Sequence, residues 1–462
     1  MKILHYSLGL PPYRSGGLTK YSLDLMQSQT SQGQQVFLLF PGSFSVSQKT
    51  KVKPSLNYKG IQVFEIINPL PVSLLGGVIK PEAFMRTVNS NDSYKSFLLE
   101  IQPDIIHIHT LMGIHKEFFM VAKELNIKII YTSHDYNGIC PKVNLIDANE
   151  EFCTDNESGN KCVSCNQNAY SLPLIYLMQT KTYRTIKDKK LVKKLRRRKN
   201  KTINIKNSNK SIKTKKKVDI VLADKFISLR NYYFDIFRFV DFFHFNSETT
   251  KDEFKRYLDI KGAVLSISHS NILDNRKKKV YNLNSSLKIS FLGPLDLYKG
   301  FPLLLESFSK LLSKGYTNLE LNVYGNNTEL ALEQPECDHI TFHGRYQYDE
   351  MENIFDNTDV LIVPSICKET FGFIGLEALS YGVPIIVSDH VGCKDIIRDG
   401  ETGVIFNPET NELETILEKL INDRNILEKM NDNINNDAFP YSIEKHARDI
   451  EALYKEVLGV LV

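Results

Sequence analysis

Two glutamates frame the stretch of this chain best suited to chemistry, Lys368-Glu369-Thr370-Phe371-Gly372-Phe373-Ile374-Gly375-Leu376-Glu377. The apolar run before it, Asp359–Ser365, reads as a buried parallel strand. Ala378–Gly382 reads as helix closed by a glycine cap, and Pro384–Ser388 as the next strand. Glu369 therefore falls in a loop leaving a strand, and Glu377 inside the helix that follows. Loops at that end of an open α/β sheet bind nucleotides, and their free N–H groups and helix dipole favour phosphate. A carboxylate beyond the phosphate can accept hydrogen bonds from sugar hydroxyls. Taken alone, the two glutamates fit a strand–helix unit with two solvated carboxylates equally well.

Other residues could join them. Lys299, in Gly293-Pro294-Leu295-Asp296-Leu297-Tyr298-Lys299-Gly300, follows the first strand of the second half and could meet a diphosphate; the plainer reading of Lys-Gly is a surface turn. Gly16-Gly17 opens a loop after the first strand, or is simply a turn. His134, in Tyr131-Thr132-Ser133-His134-Asp135, sits at a strand's C-terminal end. His107 and His109 occupy alternate strand positions and read as structural.

The elements that must position these residues alternate strand and helix. In the first half the strands are Lys2–Leu8, Gln35–Phe40, Ile61–Ile66, Pro103–His109 and Ile127–Thr132. In the second they are Lys288–Leu292, Leu319–Tyr324, Ile340–Phe342, Val360–Val363, Pro384–Val387 and Val404–Phe406. Such alternation predicts parallel, doubly wound sheets. A chain of 462 residues exceeds one core, so two domains are expected. Residues 1–272 form the first, 273–287 a linker rich in Lys, Asn and Ser, and 288–441 the second.

Hydrophobic content of 42% and charged content of 24% are ordinary for a globular protein. Met1–Tyr6 is a strand pattern and not a signal peptide, and no apolar run approaches the ~20 residues that span a bilayer. A cytoplasmic protein is expected. Residues 1–250 carry 36 Lys/Arg against 20 Asp/Glu, whereas 251–462 carry 22 against 34. Much of that asymmetry comes from 181–217, which includes Lys193–Lys199 and Lys215–Lys217. A solvated insertion, nucleic-acid binding and attraction to anionic lipid are the three readings. Without a nucleic-acid fold around it, the segment is expected on the inner face of a membrane, peripherally, with no nucleic-acid partner.

Glu369 and Glu377 form an E-x7-E pattern that resembles the retaining nucleotide-sugar glycosyltransferases of the large family four. Pro364-Ser365, Glu377-Ala378-Leu379, Gly382–Ile386 and Asp399–Gly403 extend the resemblance, which covers most of the chain outside 170–235. It implies the GT-B architecture, two Rossmann-like domains facing a central cleft, with a last helix within 442–462 crossing back to the first domain. It implies transfer of a sugar from a nucleoside-diphosphate donor, UDP or GDP above others. The acceptor would be a hydroxyl of a glycan or lipid-linked molecule, in cell-surface polysaccharide synthesis. Lys299 would bind the diphosphate, Glu377 the ribose and Glu369 the donor sugar. Phe371, Gly372 and Phe373 would offer amides, Gly16 and Gly17 would close on the diphosphate, and His134 would lie beside the sugar. Catalysis would need no metal. Pro294 departs from the pattern, because many relatives carry arginine there; Arg345 is the candidate replacement, or a contact for the base. A nucleotide-sugar epimerase or a non-catalytic binding protein of the same architecture is the alternative.

Four of seven cysteines cluster, Cys140, Cys153, Cys162 and Cys165. In a reducing compartment disulfides are disfavoured. Structural zinc held by the four thiolates, an iron–sulfur cluster and free thiols remain as readings.

Overall fold

The computed structural model describes residues 1–45, 47, 49–186, 219–325 and 338–460. The first sheet contains β1 (Lys2–Tyr6), β2 (Gln35–Pro41), β3 (Lys51–Pro54), β4 (Gln62–Ile67), β5 (Ile105–Ile108), β6 (Lys128–Ser133), β7 (Phe242–Phe245) and β8 (Gly262–Val264). Their order is β3-β4-β2-β1-β5-β6-β7-β8, parallel except for the β3–β4 pair. The second contains β9 (Leu287–Leu292), β10 (Leu319–Tyr324), β11 (Ile340–Gly344), β12 (Val360–Val363), β13 (Ile385–Ser388) and β14 (Gly403–Phe406). It runs β11-β10-β9-β12-β13-β14, all parallel.

Both sheets grow outward in two directions from their first strand. Each therefore has a switch point, β1/β5 in the first and β9/β12 in the second, where crossovers diverge and leave a crevice. The apolar runs explain the strands: β12 and β13 are buried at every residue, as parallel strands covered on both faces must be. Six expected strands of the second half all form. In the first half β3, β7 and β8 were not foreseen, and Pro103–His109 shortens to β5.

The helix Ile443–Leu458 packs across the first sheet. Ser442 accepts the Lys445 N–H at 3.2 Å as its N-cap, and Gly459 in the left-handed region ends it. Its buried residues Ile443, Ala447, Ile450 and Tyr454 recur every three or four positions. Ala447, Ile450 and Tyr454 join Ile3, Tyr21, Leu25, Ile105 and Ile130 in one apolar cluster that also takes in Phe371 and Leu376 from the second half. No described helix is long and apolar enough to cross a membrane.

Of the basic segment 181–217, only 181–186 lies within the described residues. There Lys181 and Arg184 each stand 3.2 Å from the nearly buried carboxylate of Glu65. Lys193–Lys199 and Lys215–Lys217 fall outside.

Candidate active site

The two loops leaving the second switch point are bound together. Ile366 and Cys367, after β12, donate their N–H groups to the Tyr298 carbonyl at 3.1 and 3.2 Å. Gly300 lies so close to the other loop that a Cβ there would sit 1.8 Å from the Pro364 oxygen, with φ at +73°. Only glycine meets both conditions. The result sets Lys299 Nζ 2.8 Å from Glu369 Oε2, while Ser365 Oγ donates a short hydrogen bond to Oε1. Burial would lower the lysine's pKa, but the Glu369 carboxylate outweighs it and holds the ammonium well above its ordinary value. Burial, then Glu369, pushes the neighbouring Cys367 thiol up to about 12, leaving it neutral. A cation with a fixed carboxylate partner thus stands at the switch point, where open α/β sheets bind their ligands.

Glu377 is buried in the helix Phe373–Leu379. Its Oε1 accepts from Tyr348 Oη at 2.9 Å and faces His269 Nε2 at 3.2 Å. Oε2 has no partner among the described residues and can accept a further hydrogen bond. Sequence reasoning missed Tyr348 and His269. His269 ends the first half of the chain, and only the packing of the halves brings it to Glu377.

Gly372 has φ at +88°, and a Cβ would press to 2.8 Å from Val391 Cγ1. Phe371 is buried. The Phe373 ring meets His269 edge-on at 4.9 Å and lies 3.6 Å from where a Gly17 Cβ would stand. Gly16 and Gly17 are exposed, so the glycine loop faces the Glu377 helix across the cleft. His134 reaches the same cleft: its carbonyl accepts from Thr370 Oγ1 at 2.9 Å, while Ser247 and Thr250 donate to the Thr370 carbonyl at 2.8 and 3.0 Å. These bonds tie the Glu369 loop to the first sheet. Arg345 follows β11 and lines a cavity with Tyr324, His343, Tyr346 and Glu350; Pro294 is exposed.

The four clustered cysteines line one small cavity with Arg230 and Tyr257. Burial first, then the neighbouring Cys140, pushes Cys162 up to about 12 and Cys165 to about 11. Unmetallated, both are neutral thiols. The group of described residues close enough to hold a metal is a different one: His5, His107 and His109, each buried, bring ring nitrogens within 4.8 Å of one another. That trio could coordinate an ion, and no three of the cysteine sulfurs come as close.

Residues 274–437 match the family model described as "Glycosyl transferases group 1". CapM of Staphylococcus aureus, a capsular polysaccharide biosynthesis glycosyltransferase, is 31% identical over 172 residues, 35% of this chain and 44% of that protein. This chain thus spans under half the length of the curated relative it matches. Among solved structures, sucrose-phosphate synthase of Thermosynechococcus elongatus superposes with a TM-score of 0.57 at 12% identity, covering 100% of both chains. Anabaena HepE in complex with UDP gives 0.55 at 12% identity, covering 99% of this chain and 100% of that one. At such identities the likeness is one of fold. On its two sheets, the matched segment and these structures, the chain is a GT-B-fold, glycosyltransferase-like protein.

Proposed function

We propose that this chain is a retaining glycosyltransferase of family four, moving a sugar from a nucleoside diphosphate to a hydroxyl of a glycan or lipid-linked acceptor in cell-surface polysaccharide synthesis. The observation that carries the reading is the Lys299–Glu369 pair, 2.8 Å apart where both switch-point loops meet. As the sugar leaves, negative charge grows on the diphosphate, and a fixed cation there lowers the barrier more than it tightens binding. Glu377 Oε2 would take the ribose and Glu369 the sugar hydroxyls. The UDP held by HepE and the capsular role named for CapM favour UDP and a polysaccharide product. The cleft would close on the donor and exclude water.

Proton NMR of the reaction, run with UDP- and GDP-sugars and with saccharide and lipid-linked acceptors, tests the reading. A product whose anomeric configuration matches the donor's is expected. An inverted product, or a donor epimerised or hydrolysed without transfer, would contradict it. The protein is also proposed to sit on the cytoplasmic face of a membrane through its basic segment. Flotation should recover more of it with anionic than with neutral vesicles, and equal recovery overturns that placement.

The four cysteines are the proposed ligands of a structural zinc. Elemental analysis of protein purified without chelator tests this: stoichiometric zinc supports it, and its absence overturns it.

A further inference from the structure

Beneath the cleft, five imidazoles form one hydrogen-bonded chain across the first sheet. His244, on β7, has Nε2 2.7 Å from the Leu265 carbonyl. A carbonyl only accepts, so Nε2 carries the proton and Nδ1 the lone pair. Thr132 Oγ1, 2.9 Å from that Nδ1, must donate to it and accept from His107 Nε2 at 2.6 Å. His107 Nδ1 is then an acceptor, and the Tyr454 hydroxyl donates to it at 2.6 Å. That hydroxyl in turn accepts from Gln29 Nε2 at 3.3 Å. The Gln29 oxygen accepts from His5 Nε2 at 2.8 Å. His5 Nδ1 accepts from His109 Nε2 at 3.0 Å, and His109 Nδ1 from His134 Nε2 at 3.2 Å.

Every junction is satisfied in one direction, with each ring neutral and protonated on Nε2. Burial keeps them neutral: it pushes His5 and His134 down to about 3 and His244 to about 4. Burial and the neighbouring imidazoles hold His107 and His109 well below their ordinary value. The chain ends at His134, whose Nδ1 pairs with no described residue and is not among the buried unpaired polar atoms. It therefore opens on the cleft beside the Thr370 loop.

We propose that this relay holds His134 in the single Nε2–H tautomer, presenting the Nδ1 lone pair as an acceptor for a substrate hydroxyl. Gln29, His5 and His109 are its positioning residues. The role of the hydroxyl rests on the glycosyltransferase reading; the tautomer does not. Because both ring nitrogens of His5, His107 and His109 are already engaged, relay and bound metal are mutually exclusive there.

Selective ¹⁵N-histidine labelling of the full chain, with long-range ¹⁵N–¹H correlation, reads each tautomer without substrate; His134→Gln assigns the signal. His134 is expected neutral, with its proton on Nε2. Finding it on Nδ1, finding an imidazolium, or finding a stoichiometric metal that shifts His5, His107 and His109 overturns the proposal. His109→Leu removes the acceptor and should release the His134 tautomer and lower kcat about tenfold, with the donor KM moving less than about twofold. His109→Asn returns an acceptor at the Nδ1 position and should restore both tautomer and rate. Equal loss in both variants with the tautomer unchanged overturns it. The tautomer is read on the free protein. Failure of transfer therefore leaves the relay standing, and transfer with a mixed tautomer sinks the relay alone.

Discussion

Lys299→Met is expected to lower kcat for sugar transfer by about a hundredfold to a thousandfold. The methylene stem and its packing survive; the charge does not. Lys299 faces Glu369 at 2.8 Å, so its removal also leaves that carboxylate without its cation. Glu369→Gln keeps an acceptor for Ser365 and removes the charge from the other side. If the two residues act as a unit on the departing diphosphate and its sugar, the double variant should lose little more than the worse single one. Losses that multiply instead would mean that the residues serve separate steps. The double variant should keep the cooperative unfolding of the parent, because replacing a partly buried ion pair by neutral groups is often close to neutral for stability, whereas each single variant strands one charge and should unfold at a lower temperature.

Gly300→Ala should be the most destabilising single methyl in the second sheet's loops. At φ +73° with the Pro364 oxygen 1.8 Å from the new Cβ, backbone must move against backbone. The left-handed conformation costs roughly 1–2 kcal/mol for a residue with a Cβ, and overpacking about 1–3 kcal/mol more. A melting temperature lower by about 4–20 °C is expected. Activity should fall with it, since Lys299 is the preceding residue. Gly17→Ala provides the contrast, because its Cβ would meet Phe373 at an ordinary 3.6 Å and the melting temperature should hardly move. A Gly300→Ala protein as stable as the parent would show that the two loops are not locked together.

The second sheet was legible because its strands are short, largely apolar runs bounded by Gly, Pro and charged residues, with β12 and β13 buried at every residue. The first sheet was less so, for local reasons. β3, Lys51-Val52-Lys53-Pro54, is a mostly exposed antiparallel edge with no hydrophobic signature. β7, Phe242–Phe245, runs on from an aromatic helix, so a four-residue strand does not stand out. Within the site, Glu369, Glu377 and Lys299 announced themselves by their place after strands. Tyr348 and His269 did not, because their meeting with Glu377 depends on how distant segments pack. His107 and His109 read as structural, and they are buried. Their connection through Gln29 and Tyr454 joins the first and last long helices, which no local pattern encodes.

The most direct test of the donor site is thermal unfolding of the parent and of Lys299→Met with UDP, GDP, ADP and CMP, each with and without a divalent cation. One nucleoside diphosphate should raise the parent's melting temperature without metal and leave Lys299→Met nearly unmoved. No rise with any nucleotide, or an equal rise in both proteins, would contradict a diphosphate seat at the Lys299–Glu369 pair.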